Sequence, residues 1–278
     1  MKIINSFLVV FLVGGLAACS GVSVDSRRDV AFEVASKAGL QGISLDTGMF
    51  GLAGFHRLGN SQKPASVYIE GDGFAWIDRY TVSRNPTPRD PLALKLAALD
   101  RAERVLYLAR PCQYVELSTE RNCDQKYWTG HRFSQQVVAS YNQALDRIKK
   151  EFKVSGFHLI GFSGGGAIVA LLAAQRSDIL SLRTIAGNLD HVALNKFRRV
   201  SPLTGSLDPI AIAPKLKNLP QIHYAGGQDS VVPSWVSQAF VRAVGASPCV
   251  SVKIVPDASH LEGWLRMWRS HSRDIPKC

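Results

Sequence analysis

Apolar positions in this chain fall into short unbroken runs separated by stretches of helical period. Ser66-Val67-Tyr68-Ile69-Glu70, Arg104 to Ala109, His158-Leu159-Ile160, Leu182 to Ala186, Gln221 to Ala225 and Val250 to Val255 read as strands. Between them, Ser134 to Phe152 carries Val137, Val138, Tyr141, Leu145 and Ile148 at helical spacing. Leu92 to Leu99, the segment from Gly164 through Gln175, Pro233 to Val244, and Leu261 to Arg269 read as further helices. Ahead of this alternation lie a helix over Ser26 to Ala38 with Asp25 as its N-cap, and a strand pair, Ile43 to Asp46 and Phe50 to Leu58, joined through Thr47-Gly48. Strands alternating with helices predict an α/β fold, a mainly parallel central sheet with helices on both faces. Right-handed crossovers then bring the loops leaving the strand C-termini to one edge, where chemistry should collect. Residues 110–131 read as a polar loop and 187–219 as an irregular excursion rich in Asn, Pro and basic residues. These are the only roomy insertions, so no large lid domain is expected.

One strand-to-helix junction carries a reactive residue. Gly161-Phe162-Ser163-Gly164-Gly165 fits Gly-x-Ser-x-Gly, where a sharp turn pushes the serine hydroxyl into the open. Serine is a poor nucleophile until a base takes its proton, and that base needs a third group to orient it. Asp229 follows the strand ending at Ala225 and its Gly226-Gly227 turn, and His260 follows the last strand, so the chain order is Ser163, Asp229, His260. The alternatives are a helix-capping Ser163, a turn-forming Asp229 and a surface-loop His260. Asp190 is the rival acid and His191 the rival base. His223 lies inside a strand and reads as packed, and Trp264 and Trp268, one helical turn apart, read as core.

On these residues the chain resembles serine hydrolases of the α/β-hydrolase fold, over about Ser66 to Arg269. The resemblance implies Ser163 as nucleophile, His260 as general base and Asp229 as the group that fixes its tautomer. It also implies an oxyanion hole built from the backbone N–H of Gly164 and one from the Glu70-Gly71-Asp72-Gly73 loop. Many relatives have His-Gly where this chain has Glu70-Gly71; counting from there points to the amide of Asp72, with Gly73 next. The implied reaction is cleavage of carboxylic esters, with thioesters and amides also open, and it requires no cofactor. An acyltransferase using the same residues, or a non-catalytic envelope binding protein on the same scaffold, are the other readings. Arg110, Arg132 and Lys196 stand in the insertions, available to meet a negatively charged substrate.

The N-terminus and the composition locate such a site. Lys2 followed by a mostly apolar stretch to Leu16 has a signal-peptide layout. Leu16-Ala17-Ala18-Cys19 resembles the lipobox of bacterial lipoproteins, which implies removal of residues 1–18 and lipidation of Cys19. Residues 19–278 then form a single domain on a short tether. Ser20, where aspartate would otherwise retain the protein, implies the outer membrane, facing the periplasm. Cys112, Cys123, Cys249 and Cys278 are an even set for an oxidising compartment. Of three connectivities, Cys112–Cys123 would clip the polar loop and Cys249–Cys278 would tie down the C-terminus; free thiols are the alternative. No Cys-x-x-Cys or His-x-x-x-His spacing points to zinc. The formal charge of +11 suits anionic surroundings, but its clusters are short and no nucleic-acid signature accompanies them. The expected partners are a small-molecule or lipid-like acyl substrate and the membrane; oligomeric state is not legible.

Overall fold

A computed structural model describes residues 23–278, so Cys19 and the segment before it lie outside the described residues. The apolar runs become strands β1 (Gln41–Asp46), β2 (Gly51–Arg57), β3 (Ala65–Ile69), β4 (Val105–Leu108), β5 (Phe157–Phe162), β6 (Ile179–Ile185), β7 (Gln221–Gly226) and β8 (Val250–Val255). They form one sheet in the order β1-β2-β4-β3-β5-β6-β7-β8. The hairpin β1–β2 is antiparallel and meets β4 antiparallel, and every pairing from β4 to β8 is parallel.

Helices cover both faces because alternate strand residues supply a separate apolar surface to each. Val67, Ile69 and Leu159 pack with α3 (Gln135–Phe152), α4 (Gly164–Ala173) and α7 (Trp235–Val244) on one side. Tyr68, Tyr107 and Ile160 pack with α1 (Val24–Lys37), α2 (Leu92–Leu99) and α8 (Trp264–His271) on the other. Every residue of α4 is buried, as its run of Gly, Ala, Ile, Val and Leu requires. Trp264 and Trp268 lie in the core, as their spacing suggests.

Several boundaries differ from the sequence reading, each for a local reason. The N-cap of α1 is Ser23, whose hydroxyl accepts from the Ser26 amide, and Asp25 falls in the first turn. There its carboxylate still faces the positive end of the helix. The last helix begins at Trp264, because Gly263 at φ 88° is in the left-handed region and cannot extend it backwards. The 110–131 loop contains a 3-10 turn (Gln125–Trp128) whose Tyr127 and Trp128 are buried. About half of the 187–219 excursion is helical, with α5 (His191–Arg198), α6 (Pro209–Ile212) and a 3-10 turn (Ala213–Leu216). Its rival catalytic pair is used structurally: Asp190 caps α5 through the Ala193 amide, and His191 Nε2 meets the Leu207 carbonyl at 3.1 Å. Both favoured disulfides, Cys112–Cys123 and Cys249–Cys278, are present, with Cα separations of 5.5 and 3.8 Å.

Candidate active site

Ser163 sits between β5 and α4 at φ 50°, ψ −117°, a strained conformation for a side-chain-bearing residue. The flanking glycines make the turn possible. A Cβ on Gly161 would drive into the Gly165 carbonyl, and one on Gly165 would drive into the carbonyls of Ile69 and Glu70 on neighbouring β3. The Ser163 amide is held by the Ile185 carbonyl of β6, so the elbow is tied into the sheet on both sides.

The loops after β7 and β8 bring the other two residues to it. His260 Nε2 lies 3.0 Å from Ser163 Oγ, and His260 Nδ1 lies 2.9 Å from Asp229 Oδ2. The carboxylate can only accept, so Nδ1 carries the proton and Nε2 is left to accept from the serine hydroxyl. Asp229 has a fully buried side chain, and its Oδ1 accepts from the amides of Val231 and Val232, both at 2.8 Å. His260 is 16% exposed. Trp264 Nε1 donates to the His260 carbonyl at 3.1 Å, so α8 anchors the histidine loop as well as filling the core.

The loop after β3 lies beside the elbow. Glu70 is buried; its Oε1 accepts from the amides of Gly71 and Ala93, and its Oε2 accepts from the Tyr107 hydroxyl. Because Glu70 occupies the Gly71 amide, the next free donors are those of Asp72 and Gly73. The amides of Gly164 and Asp72 have no acceptor among the described residues. The Asp72 carboxylate folds over Gly164, where a Cβ would strike its Oδ1. Asp72 Oδ1 accepts from Arg110 Nη1 at 2.9 Å and Oδ2 from Arg132 Nη1 at 2.5 Å, while Arg110 Nη2 donates to the Arg132 carbonyl. The two guanidiniums hold the Asp72 carboxyl below the usual carboxylate range despite its burial. Gln113 completes the brace, donating to the Gly71 carbonyl and accepting from the Arg110 amide.

Residues 105–254 match the family described as serine hydrolase (FSH1), just over half of the chain. This chain belongs to that serine hydrolase family. The match runs from β4 into β8, so it includes Ser163 and Asp229 but neither the 70–73 loop nor His260. No curated protein matches the hydrolase in sequence. Among solved structures it is similar to an esterase of Pyrococcus furiosus, with a TM-score of 0.60 and 13% identity over 85% of this chain and 90% of that one. It is similar to Est1E from Butyrivibrio proteoclasticus, with a TM-score of 0.57 and 16% identity over 84% and 96%. It also resembles an acylaminoacyl peptidase of Pyrococcus horikoshii, with a TM-score of 0.60 and 12% identity over 86% of this chain but 42% of that one. At such identities the likeness establishes the fold, an α/β-hydrolase.

Two expectations for the hydrolase change. Arg110 and Arg132 are not held free for an anionic substrate, because Asp72 engages both; Lys196 is exposed on α5. The sequence reading also took from Asp72 only its amide. A carboxylate between two guanidiniums contributed by one loop was the missed feature, and the arginines flanking that loop's ends were its only signal.

Two buried groups set an acid-side prediction. Burial pushes Glu70 up to about 7 from 4.5, and pushes His223 down to about 3 from 6.5. Between pH 4.5 and 7 the native Glu70 holds a proton that the unfolded chain releases, so its contribution weakens as pH rises through that window. Between pH 6.5 and 3 the unfolded chain binds a proton that native His223 refuses, so its contribution weakens as pH falls. From 6.5 to 4.5 the two slopes oppose, and below 4.5 that of His223 stands alone. Denaturant unfolding of wild type and His223→Gln should diverge by about 1.4 kcal/mol per pH unit between 6.5 and 3, the variant losing less on acidification. Parallel curves would refute the shift.

Proposed function

We propose that this hydrolase cleaves carboxylic esters through an acyl-enzyme on Ser163. The observation that carries the reading is the unbroken hydrogen-bonded run Ser163 Oγ, His260 Nε2, His260 Nδ1, Asp229 Oδ2. Ser163 Oγ attacks the ester carbonyl carbon while His260 Nε2 takes its proton, and Asp229 steadies the imidazolium that results. The carbonyl oxygen becomes an oxyanion that the amides of Gly164 and Asp72 receive, with Gly73 the neighbouring donor. The imidazolium returns its proton to the departing alcohol, leaving the acyl group on Ser163. A water then attacks under the same base, releases the acid and restores the serine. Esterases are among the proteins that share the fold, in keeping with an ester as the bond cleaved, and an acylaminoacyl peptidase among them keeps amides open. The Leu16-Ala17-Ala18-Cys19 sequence supports a mature chain lipid-anchored through Cys19 in the outer part of a bacterial envelope, acting on small-molecule or lipid-like acyl esters.

Treatment with a fluorophosphonate and peptide mapping tests the reading. The expected result is one adduct, on the peptide containing Ser163, together with turnover of acyl esters in water. No adduct, or an adduct elsewhere, would sink it. Acyl release that needs an added alcohol would replace hydrolysis with transfer.

A further inference from the structure

The edge of the sheet that carries Ser163 is unusually apolar at its surface. The hairpin following the Asp72 loop closes through a Trp76–Val82 bridge and an Ile77 amide bond to the Thr81 carbonyl. Asp78 Oδ1 fixes its tip by accepting from the amides of Tyr80 and Thr81. That braced tip presents Trp76, Ile77 and Tyr80 to solvent, Ile77 at 56% and Tyr80 at 85% exposure. Arg79 Nη2 joins it to the Arg199 carbonyl at the end of α5, and Arg198 Nη1 joins α5 to the carbonyls of Ser230 and Val231 beside Asp229. Along this rim Phe197 is 65% exposed, and Val200 and Val231 are exposed beside it. Arginine hydrogen bonds thus tie the loops from β3, β6 and β7 into one rim bearing exposed apolar side chains, with Arg79, Arg84, Lys196 and Arg199, and one acid, Asp78, exposed among its members. Apolar and aromatic side chains interleaved with cations suit the headgroup layer of an anionic membrane.

The path of α1 supplies an independent reason. At its start, Arg27 donates to the Thr87 carbonyl at 2.8 Å and stands over the Phe74 ring, at the base of the same hairpin. At its far end, the Ala38 carbonyl accepts from Arg57, which also binds the carbonyls of Asp100 and Ala102 at the opposite edge of the sheet. The chain therefore enters the fold at Ser23 on the active-site edge. Cys19 is only four residues earlier, a reach of about 14 Å.

We propose that this rim is a membrane-docking face whose partner is an anionic phospholipid bilayer, holding the mouth of the Ser163 site against the lipid surface. The proposal deepens the envelope reading above and rests on it for the short tether. No helix among the described residues is long and apolar enough to cross a membrane. Acyl esters that partition into the headgroup layer are then the substrate class within reach.

The test uses the mature chain, as exported, with a polarity-sensitive dye on Tyr80→Cys or, at the opposite edge, on Gln62→Cys. Each is mixed with vesicles of phosphatidylethanolamine and phosphatidylglycerol, with and without a headgroup-level quencher lipid. The expected result is a blue shift and quenching at position 80 and neither at position 62. No change at 80, or equal changes at both, would overturn the docking face. The mass of the N-terminal peptide decides the anchor separately. A lipidated chain with no change at 80 keeps the anchor and loses the face; an unlipidated chain with the change does the reverse; failure of both removes both.

Discussion

Replacing Ser163 by alanine is expected to lower ester turnover by about a million-fold, and His260→Ala by about as much. The reason is that the two act as one unit. Without the hydroxyl, His260 has no proton to take from a nucleophile 3.0 Å away; without the imidazole, the hydroxyl keeps its proton. The double variant should therefore be no worse than either single one, and a residual rate above water should persist from the oxyanion donors. Ser163→Ala should leave the fold undisturbed, because Ser163 makes no side-chain cap for α4, whereas His260→Ala takes a partner from the buried Asp229 carboxylate and should cost some stability. Steady-state turnover of a soluble ester, with unfolding midpoints to check integrity, measures both. Additive losses in the double variant would mean that the two residues act in separate steps. A Ser163→Ala enzyme with substantial turnover would move the nucleophile elsewhere.

That site was legible because each of its parts is a local event. Ser163 is announced by its own glycines, and Asp229 and His260 each follow a strand whose apolar run is plain. The parallel register then does what no single segment records, bringing three loop ends to one edge. The α5 helix was harder. Asp190 followed by His-Val-Ala-Leu-Asn-Lys-Phe-Arg is a capped amphipathic helix of just over two turns, but Asn, Pro and basic neighbours hide its short apolar face. Its Phe197 and Val192 are exposed, so they carry no core signal at all. The Asp72 brace left only a faint trace in the sequence, the arginines at the ends of the polar loop. Arg110 and Arg132 lie far along the chain from Asp72 and in a loop of no fixed period, so only the folded loop brings their charges together.

The same brace carries the second large effect. Asp72→Ala should destabilise the hydrolase by about 3 kcal/mol, the loss expected when one partner of a buried charge network is removed. Arg110 and Arg132 side chains are 5% and 15% exposed, so water can only partly replace the lost carboxylate, least of all at Arg110, whose Nε is already buried without an acceptor. Turnover should fall as well, by about a hundred-fold, because on the proposed mechanism the carboxylate pins the loop whose amide receives the oxyanion. The amide itself survives the substitution, so a loss of turnover would report on its position. The discriminating readout is the split between kcat and KM: a displaced oxyanion donor lowers kcat and leaves KM nearly unchanged. Asp72→Asn keeps the shape and one acceptor oxygen but not the charge, and should fall between wild type and alanine on both scales. If stability dropped while kcat held, the Asp72 carboxylate would be a structural clamp alone. If KM rose with kcat intact, Asp72 would be contributing to uniform substrate binding instead; if KM for an anionic ester fell, the freed arginines would be acting on the substrate.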